Sequence, residues 1–169
     1  ALYCRSGVTL DPFLFGGGQE RGRRPGTENT AAIVAMAVAM REACENMTTA
    51  AEYTRRLRDK LVDRILEIPG ANINGSMNNR LPGNINCRFD GVEGEAVVIM
   101  LDLAGVCVSA GSACTSGSGE PSHVLTAMGQ TRRDAYGAIR ITLAETNTEA
   151  EVEYIADQLA AIVKDLRRK

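Results

Sequence analysis

One cysteine of this chain lies in a stretch of glycine and serine, residues 109–119. Glycine and serine favour turns and loops over helices and buried strands. Cys114 has no apolar neighbour on its C-terminal side until Val124, whereas a structural cysteine is normally buried among apolar residues. The run therefore predicts an exposed thiol on a loop, which is what a reactive cysteine requires. A surface cysteine without a role fits the run equally well.

A second stretch, residues 15–27, holds five glycines and three arginines among thirteen residues. Glycines let the backbone approach a ligand or another chain closely. Arginines bind phosphate or carboxylate through forked hydrogen bonds. We therefore predict a segment that binds an anion or crosses to another chain, with a solvated loop as the alternative.

Arg140 lies in a predicted strand, 138–143, whose core face carries Ile139 and Ile141. Because successive side chains of a strand point to opposite faces, Arg140 points away from that core. An arginine in this position is either an edge-strand charge or a rigidly held fork for a substrate carboxylate.

His123 is the single histidine, close to Cys114 in sequence. A Cys–His nucleophile pair is conceivable, but a histidine at a helix start is the favoured interpretation. The other cysteines lie in apolar strands or helices and are predicted to be core residues: Cys4, Cys44, Cys87 and Cys107.

Composition limits the class of protein. With 169 residues, the chain forms one domain, or a domain and part of another. A net charge of -2 argues against a nucleic-acid partner, and no run of apolar residues is long enough to span a membrane. Five cysteines without a CxxC spacing argue against a disulfide framework or a metal site. A reducing, cytoplasmic location is predicted.

Turn signals and apolar periodicity divide the chain into helices and strands. A long helix follows a cap at Thr27 or Asn29, with a buried part at 31–40, and the last helix opens with a capping box of Thr148 and Glu151. The other elements are strands at 1–5, 8–10, 71–74, 84–89, 106–108 and 138–143, and helices at 93–104 and 121–129. This alternation predicts an α/β or α+β fold with a mixed sheet packed by helices.

Several runs, taken in order, resemble one family: residues 16–29, 82–86, 92–95, 109–116, 120–125 and 138–140. They are similar to the NifS/IscS-type cysteine desulfurases, class V aminotransferases that use pyridoxal phosphate. The resemblance implies the C-terminal part of a fold type I pyridoxal-phosphate transferase that works as a homodimer. Residues 1–45 would end the large cofactor-binding domain and start a connecting helix. Residues 46–169 would form the small C-terminal domain with the cysteine loop.

The resemblance also implies roles for three residues. Cys114 would be the nucleophile that takes sulfur from L-cysteine, leaving L-alanine and a persulfide. Arg140 would hold the substrate carboxylate, and the Thr27 hydroxyl would reach the phosphate of the partner subunit's pyridoxal phosphate. The persulfide would supply an acceptor, such as a scaffold for iron–sulfur cluster assembly, or thio-modification. No resident metal is implied, since the persulfide would meet a cluster only in passing.

The chain departs from the family pattern in two respects. The family's cofactor lysine lies upstream of the segment that matches Ala1, and the helical residues Lys60, Lys164 and Lys169 cannot replace it. The expectation is therefore a fragment that does not bind pyridoxal phosphate covalently and is inactive alone. In addition, residues 142–145 read Thr-Leu-Ala-Glu where the family usually has Ser-Leu-Gly-Arg.

Two alternative functions stay open. The chain could belong to a selenocysteine lyase, or it could be a non-catalytic persulfide-carrier or docking domain.

Overall fold

The computed structural model describes residues 1–110 and 121–168. The chain divides into two units, Ala1–Asn46 and Met47–Lys169, and the first helix contributes to both. The helices are α1 (Thr30–Leu66), α2 (Gly94–Leu103), α3 (His123–Ala127), α4 (Arg132–Tyr136) and α5 (Glu149–Leu166). The strands are β1 (Ala71–Ile73), β2 (Asn84–Phe89), β3 (Ser109–Ala110) and β4 (Ala138–Thr142).

The first unit contains a short 3-10 turn, Glu20–Gly22, and the start of α1. Asn29 caps the helix, because its Oδ1 accepts a hydrogen bond from the Ala32 backbone N–H at 3.0 Å. The strands expected at 1–5 and 8–10 are not formed, since no described strand lies in this unit to pair with them.

The prediction of burial was wrong for residues 31–40, which are exposed. An apolar helix surface is buried only where another layer packs on it, and no residue of the first unit is buried. Further along α1, in the second unit, Leu57, Leu61 and Ile65 recur every four residues and form a buried stripe.

Four strands form one sheet in the order β1-β2-β4-β3. The class, a sheet packed by helices, is as predicted, but the sheet is not mixed: the three pairings between described strands are all antiparallel. β2 matches its predicted bounds, whereas the third strand forms at Ser109–Ala110 instead of 106–108. The sequence analysis missed α4.

The main core lies on one face of this sheet. β2 and β4 place alternate residues there, including Ile85, Cys87 and Ile139, all fully buried. Helices α1, α2 and α5 supply most of the rest of this core. A small second cluster of Leu125, Ala135 and Ala138 lies on the other face of β4.

Helix α5 begins with the predicted capping box. Thr148 Oγ1 accepts from the Glu151 N–H at 3.2 Å, and the Glu151 carboxylate accepts from the Thr148 N–H at 2.8 Å. The second of these bonds is the main reason that the pKa of Glu151 is lowered. None of the described helices combines the length and the apolar composition needed to cross a membrane.

Candidate anion-binding cleft

Arg140 lies on β4, an inner strand, on the face opposite the main core, as the alternation predicted. It is directly opposite Asn86 of β2 and Ser109 of β3. Its side chain is half-buried and makes no hydrogen bond or ion pair with any other described residue. A guanidinium that folding holds in place without a partner is available to bind an anion.

A cleft of about 380 Å³ opens around Arg140. The described residues of its lining include two arginines, one histidine and four asparagines, and no Asp or Glu is among them. From the described residues, an anion entering this cleft therefore meets positive charge and amide groups and no carboxylate repulsion. The lining residues are Asn74, Gly75, Ser76, Asn79, Arg80, Asn84, Asn86, Ser122, His123, Val124, Leu125, Met128 and Arg140.

Arg80 is the second arginine of the cleft, and it holds the β1–β2 connection in place through hydrogen bonds to three backbone carbonyls. Its Nε donates to the Ser76 carbonyl at 2.7 Å, and its Nη2 to the Asn74 carbonyl at 2.8 Å. Its Nη1 donates to the Asn84 carbonyl at 3.4 Å. Burial, and secondarily the positive charge of Arg58, lower the pKa of Arg80.

The side chains of Asn74 and Asn86 link the β1–β2 connection to β2, the strand next to Arg140. Asn74 is 4 % exposed, and its Nδ2 donates to Oδ1 of Asn86 at 2.7 Å. The backbone N–H of Asn74 also donates to the Asn86 carbonyl at 2.8 Å. Sequence reasoning missed Asn74, Arg80 and Asn86. Of the three, Asn86 could have been found from the sequence. It alternates with the core residues Ile85 and Cys87, which indicates that it lies on the opposite face of the strand.

His123 is the first residue of α3, is exposed, and lines the same cleft. Cys114 lies outside the described residues, so the Cys–His pair stays an untested alternative to the favoured interpretation of a helix-start histidine. Of the described residues before and after Cys114, Ser109 pairs with Arg140 in the sheet and Ser122 lines the cleft.

The other four cysteines differ in environment. Cys87 is fully buried, and burial raises the pKa of its thiol to about 12. Cys4 is half-buried, while Cys44 and Cys107 are exposed, so the prediction of a core location was wrong for these three. Cys44 lies on the part of α1 in the first unit, and Cys107 lies just after α2, outside any strand.

Thr27 lies in the first unit, exposed, three residues before α1 begins. Nη1 of Arg24 donates to the carbonyls of Gly26 at 3.0 Å and Thr27 at 3.5 Å, which fixes the loop there. Gly26 has φ +90, a conformation that glycine adopts without a steric cost.

A larger cavity, about 900 Å³, lies at the β2–α2 connection and α4. It is less suited to an anion, because Asp90, Glu93, Glu95 and Asp134 line it together with its arginines. Arg88, for example, is within 3.2 Å of Asp90 and 3.7 Å of Asp134. The smaller Arg140 cleft is therefore the better candidate site, although the larger one offers more space.

The fold and the cleft together define a helix-backed antiparallel sheet that presents an arginine without a partner among the described residues. The family model for class V aminotransferases matches residues 1–155. The chain belongs to the class V aminotransferase family.

Individual relatives extend this result. The chain is 42 % identical over 167 residues to "Cysteine desulfurase IscS 1" of Archaeoglobus fulgidus, covering 99 % of this chain and 44 % of that protein. A solved structure called "NIFS-LIKE PROTEIN" matches 97 % of this chain and 42 % of its own, with a TM-score of 0.86 and 39 % identity. Another, "SspA in complex with cysteine", matches 82 % of this chain and 37 % of its own, with a TM-score of 0.57 and 30 % identity. The chain thus spans less than half the length of the curated relative.

Proposed function

We propose that this chain is the substrate-carboxylate and sulfur-accepting part of a pyridoxal-phosphate-dependent cysteine desulfurase. The observation that carries the proposal is Arg140, which has no partner among the described residues and stands in a cleft whose described lining holds no carboxylate. The kinship with proteins named cysteine desulfurases supports L-cysteine as the substrate. The reaction moves one sulfur atom: L-cysteine and a thiol give L-alanine and a persulfide.

Arg140 holds the substrate carboxylate. A planar guanidinium donates two parallel hydrogen bonds to a carboxylate, which fixes its orientation as well as its position. Because Arg140 stands on an inner strand, paired on both sides by Asn86 and Ser109, its backbone is held more firmly than a loop would hold it. The bound substrate is thereby presented in one orientation.

Cys114 accepts the sulfur. A sulfur–sulfur bond forms at its thiolate while the carbon–sulfur bond of L-cysteine breaks, and the electron pair left on carbon takes up a proton. Two observations support this role. In sequence, Cys114 lies between Ser109, which pairs with Arg140 in the sheet, and Ser122, which lines the Arg140 cleft. Cys87, on the core face of β2, is unsuited to the role because its pKa is about 12 and the thiolate is the nucleophile.

The described residues fit one part of pyridoxal phosphate. Thr27, with a hydroxyl exposed near the start of α1, suits the phosphate, because a helix N-terminus favours an anion. When bound, the cofactor supplies an electron sink that weakens the bonds at the substrate's α-carbon. Among the described lysines, Lys60 is not available to anchor its ring covalently, because it forms ion pairs with Glu149 and Glu153, at 3.2 and 3.1 Å.

These ion pairs make Lys60 unsuited to act as a nucleophile toward the cofactor. The hydrogen bond to Glu153, followed by that to Glu149, raises the pKa of Lys60, the opposite of what a nucleophilic lysine needs. We propose that this chain by itself does not turn over L-cysteine. Within the proposal, residues 1–45 belong to the large domain and 46–169 to the small one. The working enzyme is a cytoplasmic homodimer that passes sulfur to an acceptor such as an iron–sulfur scaffold.

A persulfide-transfer experiment tests the sulfur-accepting role. The chain is treated with glutathione persulfide, which exchanges its outer sulfur with a protein thiolate, and each cysteine peptide is examined by mass spectrometry for one added sulfur. We expect the modification at Cys114, and its loss in Cys114→Ser. The exposed Cys44 and Cys107 serve as internal controls. Equal modification of all three would contradict a special role for Cys114.

A cofactor titration tests whether this chain alone binds pyridoxal phosphate covalently and turns over L-cysteine. Pyridoxal phosphate is added while visible absorbance is recorded, and sulfide and alanine are then assayed after L-cysteine is supplied. We expect neither a covalent absorbance band nor sulfide, which leaves the chain as a persulfide carrier on its own. A band with turnover would show that a lysine of this chain anchors the cofactor. In that case Lys60→Ala and Lys164→Ala would identify which one.

A further inference from the structure

Three side chains of the cleft form a connected series that ends beside Arg140. Arg80 donates to the carbonyl of Asn74, and the Asn74 side chain donates to the Asn86 side chain. Asn86 is the direct cross-strand neighbour of Arg140. Side chains at such opposite positions have Cβ atoms about 4.5–5.5 Å apart, so one small ligand can touch both.

The hydrogen bond from Asn74 determines which way the Asn86 amide faces. An asparagine amide has one acceptor oxygen and one nitrogen with two donors. The oxygen of Asn86 accepts from Asn74 at 2.7 Å. Its Nδ2 donors have no acceptor among the described residues, and the side chain lines the cleft. A free donor therefore stands next to the free Arg140 guanidinium.

Arg80 holds the start of this series in place. Its three bonds join carbonyls at the beginning of the β1–β2 connection, Asn74 and Ser76, to that of Asn84 at its end. A lysine at this position could not reproduce these bonds, because three carbonyls are spanned here by one planar fork. The backbone of Asn74, and with it the direction of its buried side chain, depends on this clamp.

We propose that the Asn86 amide N–H is a second donor to the carboxylate held by Arg140, and that Arg80 is the residue that positions it through Asn74. This inference rests on the proposed role of Arg140. It adds that the cleft distinguishes a carboxylate from an isosteric carboxamide, because both groups of the site are donors and an amide would present its own N–H groups to one of them.

The test compares two ligands, L-alanine and L-alaninamide, in NMR titrations of the ¹⁵N-labelled chain. The quantity measured is the ratio of the two affinities, since a merely structural variant would lower both together. Asn86→Ala is expected to reduce the preference for L-alanine about tenfold, the effect of losing one hydrogen bond to a charged group. Asn72→Ala is the matched control, a strand asparagine whose Nδ2 binds Gly70 O and Asp90 outside the cleft.

Asn86→Asp covers the case in which Asn86→Ala does not fold. It keeps the oxygen that Asn74 needs but replaces the donors with negative charge, so L-alanine binding should be lost while Asn74 stays paired. Unchanged preference for L-alanine in a folded Asn86→Asp or Asn86→Ala variant would overturn the proposal.

Arg80→Lys tests the positioning step. The preference for L-alanine should fall several-fold, and the side-chain amide resonance of Asn86 should shift in the absence of ligand. The control is Arg167→Lys, because Arg167 also donates to two backbone carbonyls, those of Asp90 and Pro69, away from the cleft. A normal preference in Arg80→Lys would overturn its positioning role.

Arg140→Lys separates this inference from the proposed function. If it leaves L-alanine binding unchanged, or if the unaltered chain shows no saturable binding, the proposed role of Arg140 fails and this inference with it. If Arg140→Lys abolishes the preference and Asn86→Ala does not, only the role of Asn86 is overturned.

Discussion

The two faces of the sheet differ in whether their side chains have partners within the protein. On the core face, Ile85, Cys87 and Ile139 are fully buried in the main core. On the other face, Arg140 and the Nδ2 group of Asn86 have no partner among the described residues. Packing that is complete stabilises the fold, whereas a polar group held in place without a partner suits a ligand. The comparison assigns most of the stability to one face and binding to the other.

Breaking the core face should have the largest effect on stability. Ile85 is fully buried opposite Ile141, so Ile85→Ala should lower the free energy of unfolding by about 2–5 kcal/mol. Urea unfolding measures it, with Ile99→Ala as the control because Ile99 is 56 % exposed. A loss below about 1 kcal/mol in Ile85→Ala would contradict the assignment of stability to this face.

The buried thiol of Cys87 should make stability pH-dependent. Burial raises its pKa from 9.0 to about 12 in the folded chain, so the unfolded chain releases this proton first. The stabilisation is complete below pH 9 and is lost as the pH rises toward 12, by about 1.4 kcal/mol per pH unit. Urea unfolding at pH 8 to 11 should show a shallower decline in Cys87→Ala than in the unaltered chain.

The exposed Cys44 provides the control for that experiment. Cys44→Ala should keep the full decline with pH, because this thiol is exposed in the folded chain. If Cys87→Ala and Cys44→Ala declined in parallel, the Cys87 thiol would not be the group responsible. A thiol reagent added at pH 8 should likewise spare Cys87 until the chain unfolds.

A smaller effect is expected from the helix that covers the core face. Thr148→Ala removes the cap of α5 and should cost about 1 kcal/mol, since the Glu151 N–H loses its acceptor. Thermal unfolding measures this change. The control is Thr146→Ala, an exposed position outside the helix, which should be neutral. Equal losses in both variants would refute the capping contribution.

The smallest effect on stability is expected on the cleft face. Arg140 has no partner among the described residues, so Arg140→Gln should change the free energy of unfolding by less than about 0.5 kcal/mol. The contrasting variant is Arg58→Gln, because the buried Arg58 pairs with Asp59 at 2.6 Å and should lose about 1 kcal/mol or more. A comparable loss in Arg140→Gln would sink the division between the two faces.

Local patterns along the chain determined much of the second unit. The alternation of Ile85, Cys87 and Phe89 with polar residues located β2 and its core face. The same alternation predicted that Arg140 points away from the core. Thr148 and Glu151 marked the start of α5. These features depend on contacts within a few residues, which the sequence displays directly.

The first unit and the cleft show what only the tertiary structure decided. Whether the apolar residues 31–40 are buried depends on what packs against them, and the sequence predicted burial where the structure shows exposure. The cleft partners of Arg140 were equally hidden, because Arg80 and Asn86 come together through strand pairing and side-chain bonds to backbone carbonyls. The local sequence pattern around a residue determines which face of its strand or helix the side chain lies on. The partners that the side chain meets there belong to segments that are distant in sequence.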